Sequence, residues 1–243
     1  MLGLLLMGII PFEAAAQQQN IAIVVRLWLD QQLAVTAESG GVQEGAMGDI
    51  LNHGDQLTTS RNTRAAIRFT DDGSVLRMNP QTEMSIKAEG DRNALQKILQ
   101  IEFGELWARI NKRDNAEYRI QTPTAVAAVK GTEFYVRVAE DGATTIITVD
   151  GVLDFFNDIG AVEIPAGYTG TVTEASAAPS VGVTEPDDVA SFTDLAEEEG
   201  SGSEVEDMIE IEIQFINEDG NQKTMIIRMP RDVAQQFIPP VQN

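Results

Sequence analysis

From Ile21 to about Thr173 the chain alternates short β-branched and apolar runs with turn pairs. Ala65-Ala66-Ile67-Arg68-Phe69 closes on Asp71-Asp72-Gly73, and Ser74-Val75-Leu76-Arg77-Met78 closes on Asn79-Pro80. Glu83-Met84-Ser85-Ile86 follows. Further on, Glu133 to Val138 closes on Glu140-Asp141-Gly142, Thr144 to Val149 on Asp150-Gly151, and Val152 to Phe156 on Asn157-Asp158. Glycine in these pairs supplies the positive φ that a tight turn needs. Strands this short and this closely spaced predict a mainly β fold of many short strands. Arg92 to Gln100 fits a short helix or another strand.

The pattern changes near Glu174. Ala, Ser, Pro and Gly mix with acids as far as Asp207, and residues 185–207 hold ten acids. Self-repulsion and poor burial predict an extended acidic linker here. Alternation then returns. Ile209, Ile211, Ile213 and Phe215 interleave with Glu210, Glu212 and Gln214, which predicts a strand with one wet face. Asn217 to Asn221 is a turn, and Thr224 to Met229 a returning strand. Pro230 opens a short helical turn, Arg231 to Ile238, stopped by Pro239-Pro240. A lone hairpin is marginal in water, so Ile209, Ile211, Ile213 and Phe215 form a candidate partner-binding edge.

The chain begins with an apolar run of about a dozen residues, too short for a bilayer, which takes roughly 20. Ala14-Ala15-Ala16 and then Gln17-Gln18-Gln19 follow, the pattern of a cleavable export signal. The expected organisation is a signal peptide at 1–16, a β domain at 17–173, an acidic linker at 174–207 and a C-terminal hairpin element at 208–243. No other segment is long and apolar enough to cross a membrane, so no transmembrane helix is expected in the mature chain. Localisation is expected to be periplasmic or secreted.

Charge narrows the function further. There are 17 Lys+Arg against 38 Asp+Glu, a net charge of −21. From Val138 to Gln222 there is no basic residue and there are 21 acidic ones. A nucleic-acid partner, which needs a basic footprint, is not expected. Solubility explains the acidic third, and a weak surface for cations or a basic partner is the alternative. There is no cysteine, and His53 is the one histidine. That excludes thiolate catalysis and multi-His metal sites, and it leaves any Ser-His-Asp enzyme a single base. His53 reads as a turn residue. Asp71-Asp72-Gly73-Ser74 lacks the further ligands of a calcium loop and reads as a hairpin turn. Trp28 and Trp107, in apolar alternating runs, read as packing residues, with stacking on a sugar as the alternative.

Several of these residues also carry a family pattern. Gly48-Asp49-Ile50-Leu51 through Gly54-Asp55-Gln56-Leu57-Thr58-Thr59, then Asp72-Gly73-Ser74-Val75-Leu76-Arg77-Met78, resembles the first half of the FecR domain. Tyr118 to Val136 resembles its second half. There a strand runs into Thr122-Pro123, and Val129-Lys130-Gly131-Thr132 leads to Phe134. Val149-Asp150-Gly151-Val152 and Ile164 to Tyr168 fit its closing strands, so the resemblance covers roughly residues 40–173. It implies a periplasmic sensor module with a β-solenoid-like or flattened β-sandwich fold. The best-known members add an anti-sigma segment and one membrane helix, and relay the state of an outer-membrane transporter to a cytoplasmic sigma factor. A stand-alone exported member without the anti-sigma segment or the membrane helix is expected. Within the motif, Pro123, Lys130, Gly131, Thr132, Phe134, Asp72, Gly73 and Ser74 are read as structural, with Thr132 bonding backbone groups left open at its turn.

The resulting expectation is a non-catalytic, cofactor-free domain that recognises an envelope protein partner in FecR-type signalling. The alternative is a structural or adhesive cell-surface module, with carbohydrate as one candidate ligand.

Overall fold

The computed structural model describes residues 20–30, 32–89, 96–112, 117–185 and 188, and the backbone of 208–216 and 222–230. The chain divides into two compact units, Met1–Ala196 and Glu197–Asn243. The expected signal peptide, most of the acidic linker, the turn at Asn217 to Asn221 and the helical turn after Pro230 lie outside the described residues.

The first unit is built of strands. In chain order they are β1 (Ala22–Leu29), β2 (Leu33–Thr36), β3 (Val42–Gly45), β4 (Ile50–Leu51), β5 (Gln56–Thr59) and β6 (Thr63–Phe69). Then come β7 (Val75–Met78), β8 (Glu83–Glu89), β9 (Gln96–Arg109), β10 (Tyr118–Gln121), β11 (Val126–Val129) and β12 (Glu133–Val138). The last are β13 (Thr144–Asp150), β14 (Val152–Phe156), β15 (Ala161–Pro165), β16 (Tyr168–Val172) and β17 (Ser180–Val183). Each strand expected between Ala65 and Phe156 forms, and the ambiguous stretch before Gln100 enters β9 as strand from Gln96. The sheet also runs past Thr173: β17 pairs with β16.

These strands form one hydrogen-bonded sheet folded over on itself, so that it presents two layers. One layer runs β4-β1-β6-β7-β9-β12-β13-β16-β17. The other runs β3-β2-β5-β8-β9-β10-β11-β14-β15. From β10 onward successive hairpins alternate between layers, and each layer ends on edge strands, so the sheet is not closed into a barrel. Strand β9 belongs to both. Its first half pairs with β8 and β10, and its second half with β7 and β12. The change of layer falls at Gly104, whose φ is +106° and where a Cβ would lie 2.5 Å from the Thr82 Cα. Only glycine combines that φ with so close an approach.

Period-2 alternation then builds a single core between the layers. In β8, Met84, Ile86 and Ala88 are buried while Ser85 and Lys87 face out. Leu57, Leu106, Ile120, Phe134 and Phe155 are fully buried, each worth about 1.5–3 kcal/mol on burial. Gly170 of β16 shows how closely the layers approach: a Cβ there would meet Ile164 and Phe155 of the opposite layer.

The second unit contains β18 (Met208–Ile216) antiparallel to β19 (Gln222–Pro230). Ile209 pairs with Met229, Ile211 with Ile227 and Ile213 with Met225. The alternation therefore places these residues on one face of the ribbon. Among the described residues no helix is long and apolar enough to cross a membrane.

Candidate functional site

The two halves of the motif are far apart in sequence, and the fold brings them to one end of the first unit. The β6–β7 turn holds Asp72, Gly73 and Ser74. Gly73 takes φ +72°, its N–H donates to the Phe69 carbonyl, and the Ser74 N–H donates to Asp72 Oδ1 at 2.8 Å. The β11–β12 turn holds Lys130, Gly131 and Thr132, with Gly131 at φ +75°. Residues 110–112, leaving β9, lie between the two turns. Asn111 donates its N–H to Ser74 Oγ at 3.0 Å and its side-chain amide to the Asp72 carbonyl at 2.9 Å. Ile110 N–H donates to the Thr132 carbonyl, and a Cβ on Gly131 would lie 2.6 Å from Lys112 Cβ.

The remaining motif residues have different surroundings. Phe134 is fully buried in the core. Pro123 sits in the β10–β11 turn, where the Thr122 Oγ1 accepts from Ala125 N–H, and packs near Gly142. Lys130 points to solvent, 4.0 Å from Glu117. One expectation is corrected. The Thr132 hydroxyl is buried and has no hydrogen-bond partner among the described residues; it is the backbone of Thr132 that is engaged.

Beside the motif turn is a charged group that the sequence reading did not single out. Lys97, in β9, has a fully buried side chain and faces inward. Its Nζ donates to Asp71 Oδ2 and Asp72 Oδ2, each at 2.7 Å, and to the Tyr118 hydroxyl at 2.9 Å. It also lies 4.9 Å and 4.6 Å from the ring centroids of Phe69 and Tyr118, which meet edge to face. Tyr118 O–H donates to Asp72 Oδ2. Burial pushes the Asp72 carboxyl up, but hydrogen bonds from Lys97, Tyr118 and the Ser74 N–H outweigh it and hold the group below its usual range. Burial, followed by the Asp72 charge, raises the Tyr118 hydroxyl far above its ordinary value. Lys97 thus bridges two carboxylates and ties β6–β7, β9 and β10 together. One ammonium faces two carboxylates, which leaves one negative charge, and the group fastens three elements in the manner of a clasp. The signal for it was Lys97 falling in register with Leu99 and Ile101, but the undecided stretch before Gln100 hid that register.

The other expected positions are spread out. His53 Nδ1 sits 3.1 Å from Ala88 N and 2.9 Å from Ala88 O, bridging a turn to β8. Trp107 is buried, but on the outward side of its layer, in a cluster with Tyr135 and Ile147 separate from the core. Its ring is flanked by Arg77 and Arg109 at 4.6 and 5.0 Å, and its N–H donates to Glu133. Trp28 is half-buried. Ile209, Ile211, Ile213 and Phe215 lie on β18, in the other unit. A shallow cavity of about 510 Å³ is lined by Glu102, Phe103, Pro123, Glu140, Asp141 and Gly142.

Residues 55–153 match the family described as FecR protein, and this segment is a FecR-like domain. No curated protein matches the chain. Two crystal structures of a candidate anti-sigma factor from Parabacteroides distasonis are similar to it at 14% identity, each with a TM-score of 0.49. The match covers 57% of this chain and 64% and 63% of those chains, less than two thirds of their length.

Proposed function

With residues 55–153 forming a FecR-like domain, we propose that this chain is an exported, non-catalytic sensing domain that recognises a protein partner at the cell envelope. The observation that carries the reading is the use made of the motif. Asp72, Ser74, Gly131 and Phe134 are all spent on holding two turns and a core together. Function then falls to the surface, as in a binding module and unlike an enzyme. The hairpin bearing Ile209, Ile211, Ile213 and Phe215 is a second contact element, whose strands pair only with each other among the described residues and so offer an edge to a partner strand. The sugar-binding alternative loses its main support, because the Trp107 ring is covered by its own arginine neighbours.

Crosslinking in intact envelopes, followed by affinity capture of the tagged chain, tests this. A specific protein partner and a mature start near Gln17 are expected. Retention in the cytosol with the first residues intact, or no specific partner, would overturn the reading. Deleting residues 204–243 is expected to leave the first unit folded and to weaken capture. Loss of folding would make the hairpin a part of the core instead.

A further inference from the structure

The two outward faces of the first unit carry opposite charge. Register and burial place Arg26, Arg64, Arg68, Arg77, Arg109 and Arg137 on the outward side of the layer containing β1, β6, β7 and β12. Among the described strand residues, Glu105, Glu133 and, at the end of β13, Asp150 oppose them there. The outward side of the other layer has Lys87 and Arg119 against Glu44, Glu83, Glu89, Glu102, Asp154 and Glu163. In a chain of net charge −21, a strip this rich in arginine is out of keeping with the rest.

The strip is also built. A row of directly paired residues, Ala66, Arg77, Trp107, Tyr135 and Ile147, crosses it and is buried. Arg77 and Arg109 flank the Trp107 ring, Glu133 holds Trp107 and Arg109, and Glu105 holds Arg137. Beside this fixed floor, Arg26 and Arg68 are exposed and have no carboxylate partner among the described residues. Arg26 lies 4.7 Å over the Trp28 ring, and the Trp28 indole N–H has no acceptor among the described residues.

We propose that this arginine–tryptophan strip is the docking face of the domain, and that its occupant is an acidic peptide segment of a partner protein. The inference rests on the reading of the chain as a partner-binding module and names the face and the partner's chemistry. Guanidinium groups fork onto carboxylates and tolerate stacking on rings, which suits Asp and Glu side chains. Size selects a peptide over the other polyanions. A nucleic acid or an anionic bilayer extends well beyond the strip and is repelled by the chain's net charge of −21. A single extended segment stays on the strip, and the other charges are screened over about 8–10 Å at ordinary ionic strength.

The test is a fluorescence-anisotropy titration of labelled poly-L-glutamate with the full chain, with heparin and phosphatidylglycerol vesicles as competing polyanions. R26E/R68E removes the exposed arginines, and K87E/R119E makes the same charge change on the opposite face. All four side chains are at the surface, and unchanged thermal melts confirm folding. Salt-sensitive binding, weakened about tenfold or more by R26E/R68E and little by K87E/R119E, is expected. No binding, equal loss in both variants, or stronger binding of heparin or vesicles would overturn the proposal. Envelope crosslinking with R26E/R68E separates the two claims. A partner still captured unchanged sinks this face and leaves the proposed function standing. Capture by neither protein sinks both.

Discussion

At the scale of single residues, Lys97 matters most. A buried ammonium is stabilising only while its carboxylates are in place, and removing one partner of such a group costs about 3–5 kcal/mol. Lys97→Met, which strands Asp71 and Asp72, is expected to lower stability by that order in urea melts. Asp72 gives the network a pH signature. Its pKa is lowered in the folded protein, so the folded state binds this proton less readily than the unfolded one. The associated stability is complete above the ordinary carboxylate range and drains away as the pH falls through the depressed value. Asp72→Asn is expected to be less stable at neutral pH and to show a flatter decline on acidification, measured as Tm against pH. Thr132 is expected to behave in the opposite way. Its buried hydroxyl lacks a partner among the described residues, so Thr132→Val is expected to be neutral or stabilising by up to about 1 kcal/mol. A large loss would mean that the hydroxyl is used. None of these three roles is visible in one sequence, because each depends on a neighbour 20 or more residues away that only the closed fold supplies.

At the scale of elements, the short strands were legible because their signals are local. An Asp-Gly turn and an alternating run lie within a few residues of each other, and β12 and β14 begin and end where the pattern says they do. Strand β9 was not legible. It is 14 residues long, and it changes layer halfway, so its inward positions do not follow one alternation from end to end. Gly104 marks the change, and its surroundings leave no room for a side chain. Gly104→Ala is expected to destabilise the unit by at least about 2 kcal/mol, from strained φ and contact with Thr82. Gly40→Ala, in a turn with open space around it, is expected to cost less, since only the strained φ remains. Comparing the two urea midpoints separates layer crossing from backbone preference.

At the scale of the whole molecule, the linear charge count proved only half informative. The acids of residues 138–222 stand out in the sequence. The arginines do not, because they arrive one or two at a time on β1, β6, β7, β9 and β12 and gather only when the sheet assembles. The alternation Arg64-Ala66-Arg68 was the one local hint. The motif was legible as a resemblance, but its meaning came from seeing residues 110–112 wedged between its two turns. The doubly used strand has a further consequence. Because β9 is hydrogen-bonded within both layers, the unit has no seam along which it can come apart into independent halves. A protease that nicks an outlying turn is expected to leave a resistant remnant, whereas severing this shared strand should surrender the entire assembly to digestion in one step.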